Sequence, residues 1–327
     1  MWKTPQAGCI VMSMHGTLNR PRAALSVAKR RACGPSITIW KRLLADPSKP
    51  RIKPDPRVNP WRDDLAAEHL RGEIDAPVYV RGHDRTVIAP VTALRRAPAH
   101  GAMMDTQLLL GEKFRVYEER GPWAWGQAQS DDYVGYVPAE DLGVDIATTH
   151  RVTALRSFIY TDPDIKSRPL MAVSMGAHVR VTGFEGAFGV LEDGSYIFAS
   201  HIDAETAHAH DFAQVAERFI GVPYLWGGRE SLGLDCSALV QISLSMCGHA
   251  CPRDSDMQEA VLGAPVRGDL ARGDLVFWKG HVGILQNADM LLHANATHMC
   301  VVSEPFVPAT KRIGETAGDI RQIRRMA

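Results

Sequence analysis

The chain has 327 residues, 45% of them apolar and 23% charged, which is enough to bury more than one core and predicts two or three globular domains. Lys plus Arg equals Asp plus Glu at 37 each, so the formal charge gives no electrostatic reason to expect nucleic acid or an acidic membrane surface as a partner. No stretch approaches the ~18 continuous apolar residues of a membrane helix, the first residues lack a secretory pattern, and the six cysteines form no paired framework; a reducing cytoplasmic setting is expected.

In chain order, residues 1–58 are basic, hold seven prolines and show no sustained periodicity, so a disordered tail, or a start codon placed too early, is expected. Residues 59–74 read as a helix. Asn59 can cap, Pro60 suits the first helical position, Trp61, Leu65 and Leu70 mark one face, and Gly72 can end it. From residue 75 to 146 the pattern changes to short strands, with Leu108 to Tyr117, Trp123 to Gln127 and Tyr133 to Pro138 reading as a small antiparallel barrel. Residues 147–204 repeat that order, with Met175 to Val181, a turn at Glu185-Gly186, Phe188 to Leu191 and Ser195 to Phe198.

The last segment, 205–327, carries the chemistry. Asp211 to Ile220 reads as an amphipathic helix ended by Gly221, followed by the glycine loop Tyr224-Leu225-Trp226-Gly227-Gly228. Asp235 then stands where an N-cap should, ahead of an apolar helix that runs from Cys236 to Cys247 without Gly or Pro. A thiol in that first turn meets the positive end of the helix dipole, which favours thiolate. His281 and His293 each interrupt a short apolar run of strand character, and two histidines on adjoining strands can partner each other. One can take the thiol proton while the other holds its ring, which is the nucleophile, base and orienter logic of cysteine hydrolases. The competing readings are a structural thiol at Cys236, satisfied core histidines, His298 as the orienter, and a Cys-His-His zinc site, for which a fourth ligand is missing.

The stretch from Phe212 to Val302 resembles the NlpC family of papain-like bacterial cell-wall cysteine peptidases. The motifs that carry the resemblance are Pro-Tyr-x-Trp-Gly-Gly ending at Gly228, Leu-Asp-Cys-Ser around Cys236, Pro-Arg-Asp-Ser ending at Ser255, Arg-Gly-Asp-Leu-Val-Phe-Trp ending at Trp278, Gly-His-Val-Gly around His281 and Leu-His-Ala around His293. The resemblance implies an α+β chain in which a papain-like catalytic domain follows two SH3-like β-barrels. It also implies a γ-D-glutamyl-diamino acid endopeptidase acting on peptidoglycan-derived peptides in cell-wall recycling, with no metal or organic cofactor.

By the same resemblance Cys236, His281 and His293 are catalytic and the Tyr224 hydroxyl joins the Cys236 backbone N–H at the oxyanion. Asp235, Ser237, Asp254 and Ser255 fall at the specificity pocket, with Arg253 either facing a substrate carboxylate or held in a structural ion pair. The first barrel is implied to admit only peptides with a free N-terminal L-alanine, and an ammonium there needs an acidic or hydroxyl partner, for which Asp105 and Tyr133 are the candidates. The bland readings are a helix cap for Asp235 and turns or caps for Asp254 and Ser255. An amidase or acyltransferase on the same core, or a non-enzymatic wall-binding protein, are the alternatives in function.

Overall fold

The computed structural model describes residues 53–326, so the expectation for residues 1–52 lies outside the described residues. Lys53 to Val58, expected to belong to a disordered tail, are instead stitched to the first barrel: Val134 N–H donates to Arg57 O at 2.8 Å and Trp61 Nε1 to Pro54 O at 3.0 Å. The expected helix over 59–74 is also absent. The segment forms a strand, Leu65–Ala67, and a 3-10 turn, Glu68–Leu70, and the strand pairs in parallel with Val78–Val80. Leu65, Ala66 and Ala67 are all buried, so this piece is enclosed on both faces, and the one-sided helical pattern does not apply.

The first barrel is a seven-stranded antiparallel sheet. Its central meander, Lys113–Arg120, Trp123–Ala128 and Val134–Pro138, is followed by a 3-10 turn at Ala139–Asp141 and a short strand, Leu142–Gly143. The run Leu108 to Tyr117 breaks at Gly111, whose φ of 80° makes a turn between two strands. The second barrel repeats the order with Val181–Glu185, Phe188–Leu191 and Tyr196–Phe198, a 3-10 turn at Ala199–His201 and the strand Ile202–Ala204. In each, inward residues alternate along the strands to fill a small core, such as Leu94, Phe114, Val116 and Val137 in the first and Val152, Val173, Val179 and Ile197 in the second.

The third unit is a six-stranded antiparallel sheet between helices. Helix α1 is Phe212–Glu217, capped by Asp211, whose carboxylate accepts from Ala213 and Gln214 N–H; α2 is Cys236–Met246, α3 is Ser255–Val261 and α4 is Phe306–Ala317. Strand Leu275–Trp278 pairs with His281–Asn287, which pairs with Met290–Asn295, which pairs with Cys300–Pro305. Alternation divides the sheet's faces: Val282, Ile284, Leu292 and Ala294 pack with Leu239 and Ile242 of α2, whereas Val276, Trp278, Leu285 and Leu291 pack with Phe306, Ala309 and Ile313 of α4.

The first barrel is bound to this unit through buried polar contacts. Arg229 Nη1 and Nη2 donate to the Glu112 carboxylate at 3.0 Å each, and Gln241 Nε2 donates to Asp131 Oδ2 at 2.8 Å. Among the described residues no helix is long and apolar enough to cross a membrane.

Candidate active site

The glycine loop is shaped by close backbone approach. Gly227 has φ of 75°, and a Cβ there would lie 3.1 Å from Met104 O on the first barrel; a Cβ on Gly228 would lie 2.5 Å from Gly233 O. The loop therefore lies against the barrel strand Met104–Leu109 on one side and the strand before α2 on the other. Tyr224, half-buried, leads into it and packs against the core cluster that contains Cys236, and its hydroxyl pKa is pushed up by burial and then by the charges of Cys236 and Asp235.

Cys236 opens α2, and Asp235 is its N-cap, with Oδ1 accepting from Ala238 N–H at 2.9 Å and Oδ2 from Gly227 N–H at 2.9 Å. The cap is as expected, but its effect on the thiol is not. Burial and then the Asp235 carboxylate push the Cys236 thiol up to about 12, against the Val282 and Ser237 backbone N–H groups, which favour thiolate. Burial first, and the acidic cap after it, work against the helix dipole at this turn and favour the thiol, which leaves deprotonation to a base. The Val282 N–H is near enough to favour the thiolate, which sets the sulfur close to the residue following His281.

His281 starts its strand and His293 lies in the next one. His281 Nε2 and His293 Nδ1 are 2.7 Å apart, with ring centroids at 5.0 Å, and His293 Nε2 is 2.7 Å from Glu304 Oε1. Glu304 in turn accepts from Arg312 of α4, at 2.8 Å to Oε2 and 2.5 Å to Oε1. Burial raises the Glu304 carboxyl, but the bonds from Arg312 and His293 outweigh it and hold the group at about 2, so it is a carboxylate. These partners fix the tautomers. His293 must carry its proton on Nε2 to donate to Glu304; its Nδ1 then accepts from His281 Nε2–H, and the lone pair of His281 is left on Nδ1. Burial, with His293 beside it, pushes His281 down to about 3, so that lone pair is available throughout the neutral range. Sequence reasoning missed Glu304, Arg312 and this final link. A carboxylate in the apolar run Cys300–Pro305 is the signal that could have found it, since Leu291 pairs with Glu304 and thereby sets it diagonal to His293 on the α4 face.

His293, not His298, meets the His281 ring; the His298 ring nitrogen Nδ1 lies 3.0 Å from Asn295 Oδ1, which also accepts from the His298 backbone N–H at 2.9 Å. Among the described residues no three His, Cys, Asp or Glu side chains converge in an arrangement that could hold a metal ion. Replacing Glu304 with Gln keeps an acceptor for His293 but removes the charge that stabilises imidazolium, and charge-assisted hydrogen bonds contribute about 1.5–3 kcal/mol. Turnover should fall roughly 10- to 100-fold with little change in KM, measured by steady-state peptide hydrolysis.

The residues expected at the specificity pocket separate into two sets. Asp235 and Ser237 are buried and engaged: Arg253, itself 1% exposed, donates to Asp235 Oδ1 at 2.9 Å and Oδ2 at 2.7 Å, and to Ser237 Oγ at 2.8 Å, while Ser237 Oγ donates to Asp235 Oδ1 at 3.1 Å. Their polar atoms hold the start of α2, and Arg253 is the structural ion pair of the two alternatives weighed for it.

The second set lies at the first barrel. Tyr133 hydroxyl donates to Asp254 Oδ2 at 3.1 Å, across the boundary between barrel and catalytic sheet. Asp254 occupies the N-cap position of α3 but makes no side-chain cap bond. Asp105 accepts from Arg96 Nε at 2.7 Å and acts on the Tyr133 hydroxyl with Asp254, burial being the larger cause of that hydroxyl's raised pKa. Ser255 is the first residue of α3, half-buried.

Residues 221–312 match the NlpC/P60 family, and residues 94–142 match the bacterial dipeptidyl-peptidase SH3 domain. Gamma-D-glutamyl-L-lysine dipeptidyl-peptidase of Bacillus subtilis (strain 168) is 30% identical over 223 residues, 60% of this chain and 73% of that protein. Dipeptidyl-peptidase 6 of Lysinibacillus sphaericus is 25% identical over 239 residues, 64% of this chain and 86% of that protein. Among solved structures, an NlpC/P60 family protein from Bacillus cereus ATCC 10987 superposes with a TM-score of 0.64 at 18% identity, covering 74% of this chain and 99% of the other, a likeness of fold.

Proposed function

Because the chain belongs to the NlpC/P60 family and is a cysteine peptidase, we propose that it hydrolyses the γ-D-glutamyl-diamino acid bond of peptidoglycan stem peptides with a free N-terminal L-alanine. The reading of the chemistry rests on the relay from Glu304 through His293 to His281, which leaves a lone pair on His281 Nδ1 beside the turn that carries Cys236. His281 Nδ1 takes the thiol proton as sulfur attacks the γ-carbonyl of D-glutamate. The charge that gathers on the former carbonyl oxygen is met by the Tyr224 hydroxyl and the Cys236 backbone N–H. As the tetrahedral centre collapses, imidazolium gives its proton to the departing amine of the diamino acid and a thioester remains on Cys236. Water, deprotonated by the same nitrogen, cleaves the thioester and releases L-Ala-D-Glu, and the thiol recovers its proton.

The reading of the substrate rests on one contact, the Tyr133 to Asp254 hydrogen bond at 3.1 Å. It brings a carboxylate and a hydroxyl from two domains to one place on the catalytic side of the first barrel, where an ammonium needs such partners to be desolvated. Asp105 adds negative potential there. In this reading the barrel closes the groove one residue beyond D-glutamate, which selects free peptides over stems still joined to glycan. That selection fits a role in recycling cell-wall fragments, and the cytoplasmic setting belongs to the same proposal. The relative from Bacillus subtilis is named for an L-lysine bond, which supports lysine as the diamino acid here, with diaminopimelate the alternative that the test below separates from it.

Mass spectrometry of the protein with free L-Ala-γ-D-Glu-L-Lys, its diaminopimelate counterpart and N-acetylated copies tests this. Release of L-Ala-D-Glu from the free peptides alone is expected. Equal cleavage of the acetylated copies removes the amine pocket, and cleavage of neither set, with Cys236 still labelled by a thiol probe, favours an amidase or acyltransferase.

A further inference from the structure

Arg57 reaches the same carboxylate from a third direction. Its backbone oxygen is held by Val134 N–H, and the next residue's oxygen by Gln127 Nε2 at 3.1 Å, so its backbone is fixed on the barrel beside Tyr133. Its guanidinium is oriented by Asp55, with Nη2 donating to Oδ2 at 2.8 Å, and then crosses to the catalytic domain. There Nη1 donates to Asp254 Oδ2 at 2.8 Å and to Asp256 Oδ1 at 3.1 Å, and Nη2 to Asp256 Oδ2 at 2.9 Å. Arg57 and Tyr133 thus converge on one oxygen of Asp254. No hydrogen bond from the described residues reaches the other, Oδ1, and the helix cap that could have used it is not formed.

We infer that Arg57 is a positioning residue for substrate specificity: with Tyr133 it fixes Asp254 through Oδ2 so that Oδ1 is the acceptor presented to the N-terminal ammonium of the peptide. The inference rests on the reading of Asp254 as the partner of that amine. Two effects follow from the geometry. A carboxylate pinned at one oxygen has already lost the rotational freedom that ammonium binding requires it to lose. A half-buried carboxylate is also kept ionised by the cation beside it. The groups that face Asp254 are Arg57, Arg253 and Tyr133, with Arg96, Asp105 and Asp256 around them. Burial pushes the Asp254 carboxyl above its ordinary range, and Arg253, Arg57 and Tyr133 hold it back only in part.

The sign of the pH effect is fixed by this. Asp254 must be ionised to pair with ammonium, so binding weakens as pH falls through its pKa. Removing Arg57 raises that pKa, and the acid limb of kcat/KM must move to higher pH. His281, depressed to about 3, does not contribute a limb in that region.

Steady-state kinetics over a mildly acid to neutral range, with free and N-acetylated L-Ala-γ-D-Glu-L-Lys, separate the possibilities. Arg57→Ala is expected to raise KM for the free peptide about tenfold with kcat nearly unchanged, and to shift the acid limb upward. Arg57→Lys keeps the charge without the two-pronged geometry, so it should restore most of the limb position and part of KM. If Asp254→Asn loses the preference for the free amine while Arg57→Ala leaves KM and the limb in place, the role of Arg57 alone is overturned. A lower KM in Arg57→Ala overturns it as well, since the guanidinium would then be competing with the ammonium. If Asp254→Asn keeps the full preference, the amine-pocket reading falls and this inference with it.

Discussion

Substituting Cys236 by Ala is expected to lower kcat on the free tripeptide by on the order of 10⁵ to 10⁶, and adding His281→Ala to that variant is expected to lower it no further. The first loss follows from the proposed chemistry, in which every covalent step passes through sulfur. The second is the sharper test. Every proton that His281 moves, from the thiol, to the leaving amine and from water, belongs to a step that passes through sulfur, so once sulfur is gone its imidazole has no step to serve, and any residual rate comes from binding and the oxyanion donors. His281→Ala alone should lose nearly as much as Cys236→Ala, because burial and the Asp235 carboxylate push the thiol up to about 12 and leave almost no thiolate at neutral pH without a base. A His281→Ala protein that keeps more than about one hundredth of the wild-type rate would contradict this. It would mean that the Val282 and Ser237 N–H groups alone suffice to ionise the sulfur.

That arrangement was only partly legible in the sequence. The glycine loop, the Asp235 cap and the helix from Cys236 are local features, set by backbone geometry and hydrogen bonds a few residues apart, and they read directly. The histidine pair was legible because both rings interrupt apolar strands that must be buried. Glu304 was not, because its place depends on the register between Met290–Asn295 and Cys300–Pro305 and on Arg312 arriving from a helix beyond. The sign of the thiol shift was missed for a related reason. The dipole of α2 is a local property, whereas burial by the sheet, the larger cause, is not; the charge of Asp235 next to Cys236 is local but reads in the sequence only as a cap.

The N-terminal segment shows the limit in another form. Trp61, Leu65 and Leu70 carry a helical spacing, yet Leu65–Ala67 found a parallel partner in Val78–Val80, and enclosure on both faces overrode the pattern. Arg57 and Asp254 are 197 positions apart, and nothing in the composition of either stretch announces their contact. The specificity pocket divided in the same way. Asp235, Ser237, Asp254 and Ser255 are equivalent as motif residues, and only the position of Arg253 decides that the first two are turned inward.

Arg253→Met is the substitution expected to damage the fold most. The guanidinium is 1% exposed and ties two elements together: both oxygens of Asp235 and the hydroxyl of Ser237 at the start of α2, and Thr106 Oγ1 of the barrel strand, which accepts from Nε at 2.7 Å. Removing it leaves the Asp235 carboxylate, 7% exposed, with its remaining N–H and hydroxyl donors but no counter-charge. Breaking a buried pair from one side destabilises by about 3–5 kcal/mol, which for a chain of this size lowers the thermal midpoint by roughly 10 °C. The same uncompensated charge lies beside Cys236 and raises its thiol further, so turnover of the folded fraction should also fall. Adding Asp235→Ala removes the orphaned charge and should restore most of the lost stability, because the penalty comes from leaving one ion alone. Activity should stay low in that double variant, since Gly227 N–H and Ala238 N–H then lose their acceptor and the loop that bears Tyr224 is no longer tied to α2. Calorimetry and rate measurements on the two variants test the argument together. A double variant as unstable as Arg253→Met would shift the weight from charge compensation to the packing of the guanidinium against Thr106 and the glycine loop.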